Sequence, residues 1–197
     1  MIRIAIFASG AGTNAEKIIA HFRNHPVIKV ALIVSNKPEA GVIKIAKINN
    51  TDVLLIEKGV FYSTRSYVEA LKEKKIDWII LAGFLWKMPQ VLITAYRDKI
   101  INIHPALLPM YGGKGMYGQY VHEAVLLNNE KESGITIHYV DEIYDHGKII
   151  LQEKCFIDEN ENASTLAKKI HGLEHLHYSI TVEKVILKVK DTLNQIG

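Results

Sequence analysis

Short apolar runs alternate with segments of helical period along the first 140 residues of the chain. Five runs are apolar at nearly every position, which predicts strands buried on both faces. These strands cover residues 2–7, 28–35, 52–57, 77–83 and 100–104. Apolar spacing between the runs predicts helices over residues 14–24, 41–49, 63–74 and 89–96. This alternation predicts an α/β fold with a doubly wound, mostly parallel sheet and helices on both faces.

The pattern changes after residue 115. Residues 117–129 have helical spacing, and residues 134–141 and 148–157 predict a late antiparallel strand pair joined by the sequence EIYDHG. Residues 163–192 carry apolar positions at helical spacing and predict a long C-terminal helix. No repeat or linker interrupts the chain, so we expect residues 1–197 to form a single domain.

Composition narrows the function classes. The chain is 48% hydrophobic and 23% charged, which is typical of a soluble globular protein. Its net charge of +3 is spread along the chain, so we expect small-molecule partners rather than nucleic acid. Cys155 is the single cysteine and is expected to be a buried strand residue. We find no signal peptide or membrane span, and we expect a cytoplasmic monomer or homodimer.

The glycine-rich sequence FASGAGTN, residues 7–14, follows the first strand and opens the first helix. Glycines let an anion approach the free N–H groups at a helix start, so we predict a phosphate site at Gly12, Thr13 and Asn14. The spacing also fits a dinucleotide fingerprint, but the second strand ends in SNK without the acidic residue that a dinucleotide site needs. The alternative is a structural turn capped by Thr13.

The fifth strand ends in two polar residues, within the sequence IINIHP. Residues two apart project from the same face of a strand, so Asn102 and His104 should emerge together at the edge where such sheets bind ligands. An amide donor beside a titratable imidazole suits a carbonyl oxygen that becomes negative as a nucleophile adds. The alternative for an isolated N-x-H pattern is that both side chains only satisfy backbone groups.

The connection HYVDEIYDHG, residues 138–147, contains Asp145 in a turn. A solvated turn aspartate is the alternative without a function. If the loop instead folds over His104, the carboxylate would favour the imidazolium. We therefore predict a raised pKa for His104 and a ring that is ready to donate a proton.

Four segments together resemble the phosphoribosylglycinamide formyltransferases, a family of folate-dependent enzymes of purine synthesis. They are SGAGTN, LAGFLWKMP, NIHPALLP and SGITIHYVDEIYDHG. The sequence HPALLP marks the wider formyltransferase and deformylase superfamily, whereas SGAGTN and the chain length favour this family. The resemblance runs from residue 2 to about residue 187. It implies a Rossmann-like formyltransferase fold and transfer of the formyl group of 10-formyltetrahydrofolate, as co-substrate, to the amine of glycinamide ribonucleotide, without a metal.

The resemblance also implies roles for individual residues. Asn102, His104 and Asp145 would be catalytic, and residues 12–14 would bind the substrate phosphate. Glu174 corresponds to an acidic residue near the ribose, and Pro105 borders the same substrate. The folate site would comprise Arg65, Phe84, Leu85, Trp86, Lys87, Met88, Asn102, Val140 and Asp141.

Other interpretations stay open at this point. The sequence HGLEH, residues 171–175, matches a zinc signature, but a third ligand would have to come from the same helix, so we expect no metal. A formyltetrahydrofolate deformylase normally has an extra amino-terminal domain, and a methionyl-tRNA formyltransferase a carboxyl-terminal one; neither is expected here. Transfer to another amine and a non-catalytic nucleotide-binding module are further alternatives. His122 and His138 are expected to be satisfied polar residues, and Trp78 and Trp86 to be core or pocket wall.

Overall fold

The computed structural model describes residues 1–196 and the side chains of residues 1–192. Its strands are β1 (Ile2–Phe7), β2 (Ile28–Ser35), β3 (Asp52–Leu55), β4 (Trp78–Leu81), β5 (Ile100–His104), β6 (Glu132–Tyr139) and β7 (Ile149–Phe156). Its helices are α1 (Thr13–Phe22), α2 (Gly41–Ile48), α3 (Lys58–Ser63), α4 (Ser66–Glu73), α5 (Gln90–Ala95), α6 (Gln119–Leu127) and α7 (Ala163–Ile196).

The strands form one sheet in the order β3-β2-β1-β4-β5-β6-β7. The strands from β3 to β5 pair in parallel, whereas β6 pairs antiparallel with both β5 and β7. The prediction of a mostly parallel, doubly wound sheet with a late antiparallel pair is therefore confirmed. The strand order reverses next to β1, because β2 and β3 lie on one side of β1 and β4 and β5 lie on the other. Such a switch point leaves a crevice at the carboxyl ends of the strands.

Hydrophobic side chains fill the space on both faces of the sheet. Along β1, Ile4 and Ile6 pack on one face, whereas Ala5 and Phe7 pack on the other. The first face is covered by α1, α2, α6 and α7, and the second by α3, α4 and α5. Burial on both faces explains why the strands are apolar at successive positions.

Helix α7 connects the C-terminal region to the centre of the sheet. The hydroxyl of its buried Tyr178 donates to the carbonyl oxygens of Leu81, at 2.8 Å, and Ile101, at 3.1 Å. Leu81 is the last residue of β4 and Ile101 lies in the neighbouring β5, so α7 is held against the two central strands. In the described part of the chain, no helix is long and apolar enough to cross a membrane.

The helix predicted over residues 63–74 is observed as the shorter α4 (Ser66–Glu73), and a separate helix that was not predicted, α3 (Lys58–Ser63), precedes it. Thr64 is extended between them, with φ −132° and ψ 171°, and its hydroxyl donates to the carbonyl of Val60 at the end of α3. The hydroxyl oxygen of Thr64 also accepts a hydrogen bond from the N–H of Ser66 at the start of α4. A hydroxyl that ends one helix and begins the next competes with continuous helix formation.

Two core predictions have different outcomes. Trp78 is a core residue and is 3% exposed. Cys155 lies on the edge strand β7 and is only half-buried, so the prediction of a buried cysteine is wrong. An edge strand has no neighbour on one side, which leaves its side chains partly open to solvent.

Candidate active site

A cavity of about 900 Å³ opens at the carboxyl ends of the central strands. Six parts of the chain line it: the β1–α1 turn, the loops after β4 and β5, the start of α6, the β6–β7 connection and one side of α7. This is the crevice that the strand order creates beside β1. The cavity therefore lies where a ligand was expected from the sequence.

Asn102, His104 and Asp145 meet at this cavity. The first two project from the same face of β5, and Asp145 reaches them from the β6–β7 connection, where its φ is 53°. Its Oδ2 atom lies 3.6 Å from Nδ1 of His104, and its Oδ1 atom lies 3.5 Å from Nδ2 of Asn102. His104 is only 3% exposed and the Asp145 side chain 11%, so this pair has little contact with solvent.

The hydrogen bonds of His104 define its tautomer. Its Nε2 atom lies 2.7 Å from the carbonyl oxygen of Tyr111, so Nε2 carries a hydrogen and donates it. In the neutral ring, Nδ1 therefore has no hydrogen and faces Asp145. This nitrogen can accept a proton but cannot donate one until the ring becomes charged.

The protonation of His104 differs from the sequence prediction. Burial lowers the pKa of His104 below its ordinary value of 6.5, although the charge of Asp145 and the hydrogen bond to Tyr111 both act to raise it. The predicted rise is wrong because the loss of solvent disfavours the charged ring more than the carboxylate favours it. The ligand-free protein thus holds His104 neutral at pH 7.

Asp145 is held in its charged form. Burial acts to raise its pKa, but interaction with His138, the charge that His104 carries when protonated and a hydrogen bond from the Gly113 N–H bring the pKa below its ordinary value. The Gly113 nitrogen lies 2.9 Å from Oδ2 of Asp145. The site therefore presents a carboxylate beside a proton-accepting imidazole.

His138 is a fourth polar residue of the site, although its sequence context suggested a satisfied residue without a catalytic part. It is 2% exposed and lies directly opposite Asn102 in the antiparallel β5–β6 pair. Its Nε2 atom lies 3.1 Å from Nδ2 of Asn102 and 3.7 Å from Oδ1 of Asp145. Only the register between the two strands reveals this position, and one sequence does not contain that register.

The β1–α1 turn requires glycine at residue 12. Gly12 has φ 85°, and a Cβ atom there would lie 2.8 Å from Cα of Val42. Helix α1 begins at Thr13 with Gly12 as its N-cap and no side-chain cap, so Thr13 does not cap the helix as the structural alternative supposed. Residues 10–14 line the cavity, so the start of α1 and its free N–H groups stand at its wall.

Glu174 connects α7 to the start of α1, next to this turn. It is 5% exposed and accepts hydrogen bonds at 2.9 Å from Nδ2 of Asn14 and from Nδ1 of His171. The hydrogen bond to Glu174 raises the pKa of His171. The carboxylate in the HGLEH sequence is thus engaged at the wall of the cavity. Among the side chains of residues 1–192, no three His, Cys, Asp or Glu are grouped to hold a metal ion.

The opposite wall of the cavity is aromatic. Phe84 packs edge to face on Phe7 with ring centroids 5.3 Å apart, and Trp86 lies 5.6 Å from Phe61 of α3. Trp86 is therefore a half-buried pocket wall residue. All the residues that the resemblance assigned to a folate site line the cavity except Arg65, which is exposed at the start of α4.

The profile of the formyl transferase family matches residues 2–182. A phosphoribosylglycinamide formyltransferase of Bacillus subtilis (strain 168) is 35% identical over 191 residues, which cover 94% of this chain and 95% of that protein. A chloroplastic phosphoribosylglycinamide formyltransferase of Arabidopsis thaliana is 38% identical over 182 residues. This chain spans about three fifths of the length of that plant protein, with 62% covered.

A similar fold exists among solved structures. The crystal structure of a phosphoribosylglycinamide formyltransferase from Bacillus halodurans superimposes with a TM-score of 0.86 at 39% sequence identity. The match covers 95% of this chain and 96% of that one. The residues matched by the family profile, 2–182, include the sheet and every segment that lines the cavity.

Proposed function

Because the chain belongs to the formyl transferase family, we propose that it transfers the formyl group of 10-formyltetrahydrofolate to the amine of glycinamide ribonucleotide. The products are formylglycinamide ribonucleotide and tetrahydrofolate, in de novo purine synthesis. The observation that carries the proposal is the convergence of Asn102, His104 and Asp145 in one buried cluster beside the cavity.

The two ends of the cavity suit the two substrates. The turn at residues 12–14 offers backbone N–H groups to the ribonucleotide phosphate, and Glu174 offers a carboxylate to the ribose hydroxyls. Pro105 borders the same side. The apolar wall of residues 84–88 suits the flat rings of the folate, with Val140 and Asp141 at its rim. A ligand pair bound this way would bring the amine and the formyl carbon together at the catalytic cluster.

The reaction is an acyl transfer between nitrogens. The substrate amine adds to the formyl carbon, and the carbonyl electrons move to the oxygen. An N–H of Asn102 donates to this oxygen, and one preorganised donor of this kind contributes about 3–4 kcal/mol to the transition state. Nδ1 of His104 takes the proton that the amine loses, and the resulting imidazolium further stabilises the negative oxygen.

The second half of the reaction returns the same proton. The bond between the formyl carbon and the folate nitrogen breaks, and that nitrogen receives a proton from Nδ1 of His104. The carbonyl re-forms, and His104 is neutral again. Asp145 stabilises the imidazolium between the two transfers, because it lies 3.6 Å from the nitrogen that gains and loses the proton.

The test is an assay of the purified protein with glycinamide ribonucleotide and a 10-formyl folate, which follows release of the deformylated pterin. We expect release that depends on the ribonucleotide, with formylglycinamide ribonucleotide as the product. Release without the ribonucleotide would indicate hydrolysis of the folate instead. Release only with a different amine would contradict the assigned acceptor while retaining the chemistry.

A further inference from the structure

His138 and Asn102 form a cross-strand polar pair below the cavity. They are directly opposite in the β5–β6 register, and Nδ2 of Asn102 lies 3.1 Å from Nε2 of His138. The other ring nitrogen, Nδ1 of His138, lies 2.8 Å from the carbonyl oxygen of Tyr139 and so donates to it. In the neutral ring this leaves Nε2 as an acceptor, which takes a hydrogen bond from the amide of Asn102.

This acceptor determines which way the amide of Asn102 points. The amide nitrogen has two hydrogens; His138 accepts one, and the second lies toward Asp145 with a long distance of 3.5 Å. A hydrogen bond of that length is weak, so the second hydrogen is available to a carbonyl oxygen in the cavity. If the amide turned over, its own oxygen would take that place and would repel the negative oxygen of the reaction.

We propose that His138 is a positioning residue that holds the amide of Asn102 with its N–H, rather than its oxygen, toward the reacting carbonyl. The inference rests on the proposed function, because it assigns the partner of a donor in that same site. A buried imidazole is costly unless both nitrogens are satisfied, and here each nitrogen has a hydrogen-bond partner.

The experiment compares variants of His138 in two backgrounds. His138→Phe keeps a ring of similar size but has no acceptor, and we expect it to lower kcat about 10- to 100-fold with KM changed less than about twofold. His138→Gln returns an oxygen acceptor and should stay within about threefold of the unmodified kcat. His138→Leu replaces His138→Phe if the phenylalanine variant does not fold by circular dichroism.

The second background is Asn102→Ala, where the amide is absent. If His138 acts through Asn102, adding His138→Phe to Asn102→Ala lowers kcat by less than about twofold further. An equal loss in both backgrounds would show that His138 acts independently of Asn102 and would overturn the inference. A folded His138→Phe protein with normal kcat would overturn it as well.

The inference and the proposed function fail in different ways. If the unmodified protein transfers no formyl group, the proposed function fails, and the orientation of the amide is then measured directly. A crystal structure of His138→Phe would be expected to show Asn102 turned over or in two orientations, assigned from its hydrogen-bond partners. One unchanged amide orientation in that variant would overturn the inference without any activity measurement.

Discussion

Nδ1 of His104 faces Oδ2 of Asp145 at 3.6 Å, although the hydrogen of the neutral ring is on the opposite nitrogen. The carbonyl of Tyr111 holds that hydrogen at Nε2. The pair is therefore a carboxylate next to an unprotonated nitrogen, and the carboxylate stabilises that nitrogen once it takes up a proton. This is the property that a general base needs at the start of an amine addition.

The first prediction concerns the charge of His104 in the ligand-free protein. Because burial lowers its pKa, we expect the His104 resonance in an NMR titration to have its midpoint below pH 6.5. The same shift favours folding above pH 6.5, and this contribution is lost as the pH falls through the pKa of the folded protein. His104→Asn identifies the resonance.

His171 serves as the internal control in that titration. Its pKa is raised by the hydrogen bond to Glu174, so its midpoint should lie above pH 6.5. Its contribution to stability has the opposite sign, since it is present below pH 6.5 and lost as the pH rises through the folded pKa. A midpoint for His104 above that of His171 would contradict the assignment of a neutral base.

The second prediction concerns the catalytic cluster. Asn102→Ala and His104→Ala should each lower turnover about a hundredfold or more, because each removes a group that acts on the developing charge. Asp145→Asn keeps the shape but removes the charge beside the imidazolium, and it should also lower kcat. Asn24→Ala, in the exposed turn after α1, is the matched control and should retain normal turnover. Near-normal turnover in both alanine variants of the cluster would end the proposed mechanism.

The third prediction concerns the phosphate turn. Glycinamide riboside lacks the phosphate that residues 12–14 are proposed to bind. A charged hydrogen bond contributes about 1.5–3 kcal/mol, so losing even one should lower kcat/KM at least about tenfold. Loss of remote binding should reduce kcat as well as raise KM, since the phosphate positions the amine. Equal kcat/KM for the riboside and its 5′-phosphate would contradict the proposal that residues 12–14 bind the substrate phosphate.

The fourth prediction concerns the glycine that binds Asp145. Gly113 has φ 97° and open space where a Cβ atom would be, so Gly113→Ala introduces backbone strain without a clash. That strain is about 1–2 kcal/mol, and moving the loop to relieve it displaces the N–H from Asp145. We expect kcat to fall about tenfold. Gly59→Ala, which also has open space but no positive φ, should leave kcat unchanged; an equal effect of the two variants would refute the role of the loop.

The fifth prediction concerns stability. Gly172 lies inside α7 with nothing within 4 Å of the place that a Cβ atom would take, so Gly172→Ala should stabilise the protein by about 0.5–1 kcal/mol. The measurement is the free energy of unfolding in urea. Gly134→Ala is the contrasting variant, because its Cβ would overlap the carbonyl of Glu153 on β7 and should lower that free energy. A loss of stability in Gly172→Ala would contradict the helix assignment.

Several features were readable from the sequence because they depend on local pattern. The apolar runs predicted the five parallel strands, and the two-residue spacing predicted that Asn102 and His104 share a face. The resemblance to the phosphoribosylglycinamide formyltransferases is confirmed by the family profile and by the Bacillus subtilis relative. The catalytic assignments that the resemblance implied stay predictions until the variants are measured.

Other features depend on how distant parts of the chain pack. The direction of the His104 pKa shift was wrong because the depth of its burial depends on the loop after β5 and on the β6–β7 connection. The contact between His138 and Asn102 was missed because it depends on the register of two strands. Helix α3 was missed because it has only six residues, too few to show a helical period.

The loop after β5 touches both members of the His104–Asp145 pair, through the carbonyl of Tyr111 and the N–H of Gly113. A ligand that displaces this loop takes an acceptor from the imidazole and a donor from the carboxylate in one movement. For such a ligand, binding and protonation are thermodynamically linked, and each changes the free energy of the other by the same amount.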